Sequence, residues 1–324
     1  MISIAMTTYN GEKYLREQID SILSQIYSDF ELIICDDCSS DDTRKILSEY
    51  AKKDKRVKVF FNKNNLGFKK NFEKAINLCT GDFIALSDQD DIWFANHLKI
   101  LLENLKDFSM SVGNAVLVDS FGKELGQLLN QNEGLYILPS DKQKLIYRII
   151  LGGNCFQGAS SLFRASFIKK VLPIPNDVLY HDAWFAACAT MDRGISYTFT
   201  PITYYRQHGN NVTAKVHSIK QNWLEKCKSL FSILCGKRKL LSDRFAYCKE
   251  IGKIYGFDNK DFEQLCRILN DINVKVCSLK DIFFLWKNYE YIRTQKGHKG
   301  FLKMLIIWNM WTTNSTIDRR MNTE

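Results

Sequence analysis

The sequence predicts an α/β fold in which a mostly parallel sheet is flanked by helices. Four short apolar runs, at residues 2–6, 30–35, 57–61 and 83–87, have the composition of buried strands. Between them, apolar residues recur at helical spacing, as Leu15, Ile19 and Ile22 do after the first run. Strands that alternate with helices build βαβ units, and βαβ units place parallel strands in one sheet.

Three carboxylates follow the fourth strand, in the segment that contains Asp88, Asp90 and Asp91. Ligands of open α/β sheets bind beyond the carboxyl ends of the strands, so we expect these side chains to border a crevice. Three anions so close together repel one another unless a cation or hydrogen-bond donors compensate them. Because carboxylate oxygens suit Mg²⁺ and Mn²⁺, the segment is a candidate metal site, or otherwise a solvated turn that caps the next helix.

Glycine-rich phosphate loops are missing from the sequence. Neither G-x-G-x-x-G after the first strand nor G-x-x-x-x-G-K-[ST] occurs. Three of the four strands end instead in polar, mostly acidic loops, which would repel a phosphate. A nucleotide diphosphate accompanied by a divalent ion meets this restriction.

The pattern is less regular in the following hundred residues. We predict a helix through Leu98 and Leu105, a strand at residues 112–118, a helix near residues 145–150 and a strand at residues 159–163. Residues 119–139 are predicted to be an irregular lid or acceptor-facing insert. A helix opens at residues 180–185, and strands at residues 195–199 and 202–205 lead into a polar segment.

Composition and charge indicate an ordinary globular chain with a basic C-terminal third. Apolar residues make up 45% and charged residues 25% of the sequence. Residues 215–324 hold 21 basic and 11 acidic side chains, a net charge of +10 that exceeds the +9 of the whole chain. A segment at residues 301–311 is apolar in nine of eleven positions, which is short of the roughly 20 residues of a membrane span. It fits an interfacial helix on anionic lipid or a helix packed on protein.

Cysteine usage and the N-terminus predict a reducing, cytoplasmic setting. The ten cysteines show no framework of spacings, and the C-x-x-C formed by Cys35 and Cys38 lacks a second pair that would complete a zinc site. We interpret these two as incidental thiols. The N-terminus shows no secretory signal pattern.

Four segments, at residues 7–11, 35–41, 88–91 and 181–182, together resemble the family 2 inverting glycosyltransferases of the Rossmann-like GT-A fold. The chain is similar in particular to rhamnosyltransferase-like bacterial enzymes that build lipopolysaccharide O-antigen, capsule and other surface polysaccharides. The resemblance covers residues 1–213 and implies a catalytic domain there. Residues 214–324 would form a basic helical C-terminal region that associates with the membrane or packs on the catalytic domain.

The resemblance implies a role for each matching residue. Thr7 and Tyr9 would line the nucleotide-base pocket, Asp37 would accept a hydrogen bond from the imino N–H of uracil or thymine, and Asp88 would bind ribose. Asp90 would hold the divalent metal, Mn²⁺ or Mg²⁺.

The second half of the motif set supplies the catalytic base. Asp182 would take the proton of the acceptor hydroxyl, although His181 stands where the family often has glutamate. Arg206 and His208 resemble, more loosely, a polar cluster over the diphosphate or the metal. Taken singly, Asp37 could also be a helix cap and Asp182 a first-turn partner of the helix dipole.

The implied activity is transfer of a sugar from a UDP- or dTDP-sugar to a hydroxyl of a growing, lipid-linked glycan. The protein would be cytoplasmic, with peripheral contact to the inner face of the membrane, and would bind no nucleic acid beyond the nucleotide. A sugar nucleotidyltransferase of the same fold, and a nucleotide-sugar-binding assembly factor without catalysis, remain as alternatives.

Overall fold

The computed structural model describes residues 1–132, 135, 142–152, 156–178, 180–209, 248–256, 263–264 and 266–267. The chain divides into two compact units. The first comprises residues 1–138, 154–176 and 180–216, and the second comprises residues 139–153, 177–179 and 217–324. The predicted division at residue 213 stays a prediction.

The first four strands and their helices confirm the predicted βαβ pattern. The elements are β1 (Ile2–Thr8), α1 (Leu15–Leu23), β2 (Phe30–Asp36), α2 (Thr43–Lys53), β3 (Val57–Phe61), α3 (Phe68–Leu78) and β4 (Phe83–Ser87). β1 pairs in parallel with both β2 and β4, and β2 pairs in parallel with β3. β1 and β2 each extend beyond the apolar run, so that Thr8 and Asp36 are still sheet residues.

The remaining strands and helices follow in chain order. They are β5 (Ile92–Trp93), α4 (His97–Leu105), β6 (Met110–Val118), β7 (Glu124–Leu128), α5 (Leu129–Asn132), α6 (Lys142–Gly152), β8 (Ser161–Arg164), α7 (Ala165–Lys170), α8 (His181–Met191) and β9 (Ile195–Arg206). Within the described residues the strands form one sheet in the order β3-β2-β1-β4-β8-β6-β9-β5, with β7 paired to β6.

Three predictions for this half need correction. The segment predicted to be irregular contains β7, which pairs antiparallel with β6, followed by α5. The two strands predicted at residues 195–199 and 202–205 are one strand, whose register against β6 shifts next to Pro201. The strand predicted at residues 159–163 begins as a 3₁₀ turn at Gly158–Ser160 and becomes β8 only afterwards.

The strand directions explain why distant loops meet. β8 runs antiparallel to both β4 and β6, and β9 runs parallel to β6. Therefore β1, β2, β3, β4, β6 and β9 all point the same way. Their carboxyl ends lie along one edge of the sheet, where ligands of such sheets bind.

Apolar side chains cover both faces of the sheet, and the helices pack on these faces with their apolar sides. Ile4 of β1 and Ile34 of β2 belong to one core cluster with Leu15 and Ile19 of α1 and Leu47 of α2. α3 also contacts β1 and β2, and its inward residues are buried, namely Phe72, Ala75 and Ile76. This packing fixes the start of each helix close to the strand end that precedes it.

The second unit is described in part. α6 confirms the helix predicted near residues 145–150 and buries Leu145, Ile146, Ile149 and Ile150. The apolar segment at residues 301–311 lies outside the described residues. In the part of the chain that the structure describes, no helix has the length and apolar character needed to cross a membrane.

Candidate active site

The loop after β1 is fastened by side chains from other loops. The Asn10 N–H donates to Ser39 Oγ at 2.9 Å, and the Gly11 N–H donates to Thr43 Oγ1 at 2.8 Å. Asn10 has a φ of 49°, in the left-handed region, which asparagine tolerates better than most residues. Its Oδ1 accepts from the Ser40 N–H at 2.9 Å, so the loops after β1 and β2 hold each other.

Tyr9 and the D-x-D segment are joined by one side chain. Gln89, between the two aspartates, accepts from the Tyr9 N–H at 2.8 Å and donates through Nε2 to the Tyr9 carbonyl oxygen at 3.1 Å. The Tyr9 residue is 52% exposed, which leaves its ring available to a ligand, and Thr7 is half-buried at the end of β1. Both predicted base-pocket residues therefore lie at the carboxyl edge of the sheet.

Asp37 is buried and organises the loop that precedes α3. Its Oδ1 accepts from Asn62 Nδ2 and from the Leu66 N–H, both at 2.8 Å, and its Oδ2 accepts from the Gly67 N–H at 2.8 Å. Gly67 is the residue before the first turn of α3. The carboxylate therefore holds the start of α3, rather than the helix that directly follows its own loop.

Asp88, Asp90 and Asp182 are electrostatic neighbours, although Asp182 is far away in the sequence. Burial, together with the negative charges of Asp90 and Asp182, raises the pKa of Asp88 to about 7. Burial is the larger cause of this shift, and the further contributions of Asp90 and Asp182 mean that both carboxyl groups lie near Asp88. The predicted ribose, metal and base residues thus share one anionic site.

Asp91 is the buried carboxylate beneath this site. Its Oδ1 accepts from the Arg206 N–H at 3.1 Å, and its Oδ2 accepts from Gln157 Nε2 at 3.1 Å. Burial and the charges of Asp90 and Asp88 raise its pKa. Asp91 therefore connects the loop after β4 to the end of β9 and to the turn before β8.

His208 lies against Asp90. Its Nε2 is 2.9 Å from Asp90 Oδ2, and its ring centroid is 5.1 Å from that of Tyr14. The imidazole and the carboxylate face the same space, so the loosely predicted His208 does join the acidic segment.

Arg206 is buried and its guanidinium is engaged. It donates to Glu17 Oε2 at 2.5 Å, to the Asp90 carbonyl oxygen at 2.9 Å and to the Ser120 carbonyl oxygen at 3.4 Å. The guanidinium carbon also lies 4.6 Å from the centre of the Tyr14 ring. A diphosphate would have to compete with Glu17 for this cation, and the geometry fits a residue that positions Asp90 from below.

Asp182 stands in the first turn of α8. Its Oδ1 accepts from the Ala183 N–H at 2.7 Å. Gly158 packs directly on this turn, since a Cβ at Gly158 would lie 3.2 Å from His181 Nε2 and 3.5 Å from Asp182 Cβ. The absence of a side chain at residue 158 therefore allows the start of α8 to approach the turn before β8.

His181 is an aromatic packing residue. Its ring stacks on Phe72 with a centroid distance of 4.3 Å and approaches Phe68 at 5.8 Å. Burial lowers its pKa to about 3, so the ring is neutral near pH 7. His181 therefore does not reproduce the charge of a glutamate at this position.

The donor types at the site fit a divalent cation. Asp90 Oδ2 and His208 Nε2 lie 2.9 Å apart in a hydrogen-bonded contact, which a cation bound by both groups would replace. Among the residues described, no group of three or more His, Cys, Asp or Glu side chains is arranged to hold a metal ion.

Several site residues were not predicted from the sequence. Tyr14, Glu17, Gln89 and Gln157 enter the site only because the sheet brings α1, β4, β8 and β9 to one edge. Of these four residues, only Gln89 lies inside a motif that the sequence analysis identified, namely the D-x-D segment.

The fold matches that of solved GT-A structures. The TarS 1–349 structure from S. aureus in complex with UDP-GlcNAc superposes with a TM-score of 0.59 at 19% identity, over 90% of this chain and 81% of that one. The mannosyltransferase PcManGT from Pyrobaculum calidifontis, in complex with GDP-Man and Mn²⁺, gives a TM-score of 0.51 at 15% identity, over 98% and 87% of the two chains.

The family follows from sequence comparison. Residues 3–172 match the model of glycosyl transferase family 2, and the chain belongs to that family. It is 38% identical over 52% of its length to the putative glycosyltransferase EpsE of Bacillus subtilis. It is 33% identical over 48% of its length to the Escherichia coli enzyme WfgD, a UDP-Glc:alpha-D-GlcNAc-diphosphoundecaprenol beta-1,3-glucosyltransferase. These matches span 58% and 56% of the two relatives, so the chain covers less than two thirds of either.

Proposed function

We propose that this protein is an inverting glycosyltransferase that moves a sugar from a UDP- or dTDP-sugar to a hydroxyl of a surface glycan. The observation that carries the proposal is the shared anionic site of Asp88, Asp90 and Asp182. Such a site disfavours a phosphate by itself and suits a diphosphate that arrives with a divalent cation. It also presents one carboxylate, Asp182, from a separate helix.

The donor nucleotide would bind across the ends of β1 and β2. An ionised carboxylate offers about four lone-pair positions, and loop donors use three of those of Asp37. The fourth can accept from the imino N–H of uracil or thymine, a proton that cytosine lacks. Thr7 and the exposed ring of Tyr9 would line the same pocket, and Asp88 would accept from the ribose hydroxyls.

A divalent cation, Mn²⁺ or Mg²⁺, would be held by Asp90 and His208. When bound, it would neutralise the negative charge that develops on the diphosphate leaving group. Arg206 would act from below, since its guanidinium donates to the Asp90 carbonyl oxygen.

Asp182 would act as the general base. An acceptor hydroxyl is a weak nucleophile near neutral pH, and a carboxylate that takes its proton in the transition state assists the attack. The hydroxyl oxygen would form its bond to the anomeric carbon as the bond to the diphosphate breaks on the opposite face. The proton passes to Asp182, and one displacement inverts the anomeric centre without a covalent enzyme intermediate.

The acceptor would be a lipid-linked glycan on the inner face of the cytoplasmic membrane. Three observations support this part of the proposal. The name of WfgD specifies a diphosphoundecaprenol acceptor for that relative, and the TuaG relative from Bacillus subtilis is named for teichuronic acid biosynthesis. The +10 charge of residues 215–324 would favour peripheral contact with anionic lipid from a C-terminal region that begins near residue 214.

The test is release of nucleotide from a panel of UDP-, dTDP- and GDP-sugars in Mn²⁺, in Mg²⁺ and in EDTA. We expect one donor to be used, and only with metal. Asp90→Ala should release no nucleotide in Mn²⁺, in Mg²⁺ or in EDTA. Asp182→Asn should retain nucleotide binding and lose about 10²–10⁴-fold in rate. Asp42→Asn, whose side chain is 67% exposed, serves as a matched control and should behave like the wild type.

Binding separates the competing functions. The same proteins are titrated with free UDP and dTDP in Mn²⁺, so that an obligatory acceptor does not hide a functional donor site. An assembly factor would bind nucleotide and turn over no donor with any acceptor. A nucleotidyltransferase would join a sugar phosphate to a nucleoside triphosphate. Absence of nucleotide binding would refute the proposal.

A further inference from the structure

Gln89 connects the two halves of the candidate site. It is the middle residue of the D-x-D segment, and its carboxamide makes both a donor and an acceptor contact with the backbone of Tyr9. Gln89 lies in the bend between Asp88 and Asp90. Its carboxamide therefore reaches the loop after β1 from the same turn that carries the two aspartates.

Gly11 gives independent evidence that space is kept for this contact. A Cβ built at Gly11 would lie 2.5 Å from the carboxamide carbon of Gln89. Any side chain at residue 11 would therefore displace the Gln89 side chain, which is flexible, before it displaced the backbone. The Gly11 N–H is itself held by Thr43 Oγ1, so the loop has little freedom to move away.

We propose that Gln89 is a positioning residue that couples the loop carrying Tyr9 to the turn carrying Asp88 and Asp90. The inference rests on the proposed function, since it assigns Tyr9 to the nucleoside end of the donor and the aspartates to the ribose and the metal. When Gln89 holds Tyr9, the base pocket and the metal turn keep a fixed separation. Binding at one end then favours the geometry needed at the other.

Three variants test the coupling. Gln89→Met keeps the volume of the side chain and removes both hydrogen bonds, Gly11→Ala displaces the carboxamide, and the double variant does both. Gly209→Ala is the matched control, because a Cβ at Gly209 meets nothing within 4 Å. Calorimetry measures the Kd of UDP, dTDP and GDP for each protein, in Mn²⁺ and in EDTA, and thermal melting confirms that each variant is folded.

We expect each single variant to raise the Kd of the preferred nucleotide about tenfold in Mn²⁺, in line with the loss of two partly exposed hydrogen bonds. The increase should be clearly smaller in EDTA, because coupling to the metal turn is what has been lost. The double variant should bind no more weakly than the weaker single variant, since both changes break the same contact. The variants at Gln89 and Gly11 should stay folded and melt only a few degrees below the wild type, whereas the Gly209→Ala control should match the wild type in both measurements.

Three results would overturn the inference while leaving the proposed function intact. The first is an unchanged Kd in Gln89→Met and Gly11→Ala, and the second is an equal loss of affinity in Mn²⁺ and in EDTA. A double variant about a hundredfold weaker would also overturn it, because the two residues would then act independently. If the wild type binds none of the nucleotides, the proposed function itself fails.

Discussion

Replacing Asp37 with asparagine should loosen the start of α3 as well as weaken nucleotide binding. The carboxylate accepts from the Leu66 and Gly67 N–H groups and from the Asn62 amide. An asparagine has only one acceptor oxygen. If that oxygen keeps the hydrogen bonds from the Leu66 N–H and the Asn62 amide, the NH₂ group of the asparagine faces the Gly67 N–H. Two hydrogen-bond donors then oppose each other.

The magnitude follows from these contacts. Hydrogen bonds to a charged group contribute about 1.5–3 kcal/mol each and neutral ones about 0.5–1.5 kcal/mol. Losing one of the three hydrogen bonds and weakening the other two would cost roughly 3 kcal/mol of folding free energy. Because Leu66 and Gly67 lie in a loop that water can reach, we expect a smaller loss of roughly 2 kcal/mol. For a unit of about 200 residues, this corresponds to a fall in Tm of roughly 4–8 °C.

Scanning fluorimetry without nucleotide measures this effect, with Asp42→Asn as the exposed aspartate control. A base contact alone would leave the Tm of the nucleotide-free protein unchanged and would lower only the affinity for UDP. If Asp37→Asn melts within about one degree of the wild type while the affinity falls, the anchoring role derived from the hydrogen bonds is wrong.

Three further outcomes follow from the buried ionisable groups. Burial and neighbouring carboxylates raise the pKa of Asp88 to about 7, so without a metal, in EDTA, the ionisation of Asp88 opposes folding. Asp88→Asn should therefore have a higher Tm than the wild type, and the difference should be larger at pH 8 than at pH 5. An equal Tm at pH 8 would contradict this. His181→Phe should keep kcat within tenfold, because the ring is neutral and packs on Phe72, whereas loss of a general acid or base would cost about 10²–10⁴-fold. Burial lowers the pKa of His97 to about 3 from an ordinary 6.5. Between these two pH values the unfolded chain binds a proton that the folded chain does not. The free energy of unfolding therefore falls as the pH drops from 6.5 towards 3. Urea midpoints between pH 7 and pH 4 should decline less steeply in His97→Gln, and an unchanged slope would count against this assignment.

Catalysis at this site would also depend on the residues that hold Asp88 and Asp90 in place. Asp91 is held by Gln157 and by the backbone of Arg206, while the Arg206 side chain reaches Asp90 and Glu17. These contacts fix the turn that carries Asp88 and Asp90 against the repulsion of its own charges. A geometry held in advance costs less to reach when the ligand binds.

Local sequence patterns predicted the helices and strands of the first half. Apolar spacing predicted α1, which spans Leu15–Leu23, and β3 at Val57–Phe61, because helix and strand periodicities are local properties of the chain. It also predicted that polar loops follow these strands, and hence which edge of the sheet would hold the candidate site.

Long-range strand pairing governs how the second half joins this sheet. β8 inserts antiparallel between β4 and β6, and that pairing depends on residues about 80 positions apart, such as Ile84 and Phe163. The partners of Asp37 are mainly backbone N–H groups, which every residue except proline carries and which no sequence pattern marks. Arg206 could be predicted as a polar residue after a strand, but its pairing with Glu17 exists only because β9 ends beside α1. Local periodicity therefore determined the elements, and long-range pairing determined which side chains meet.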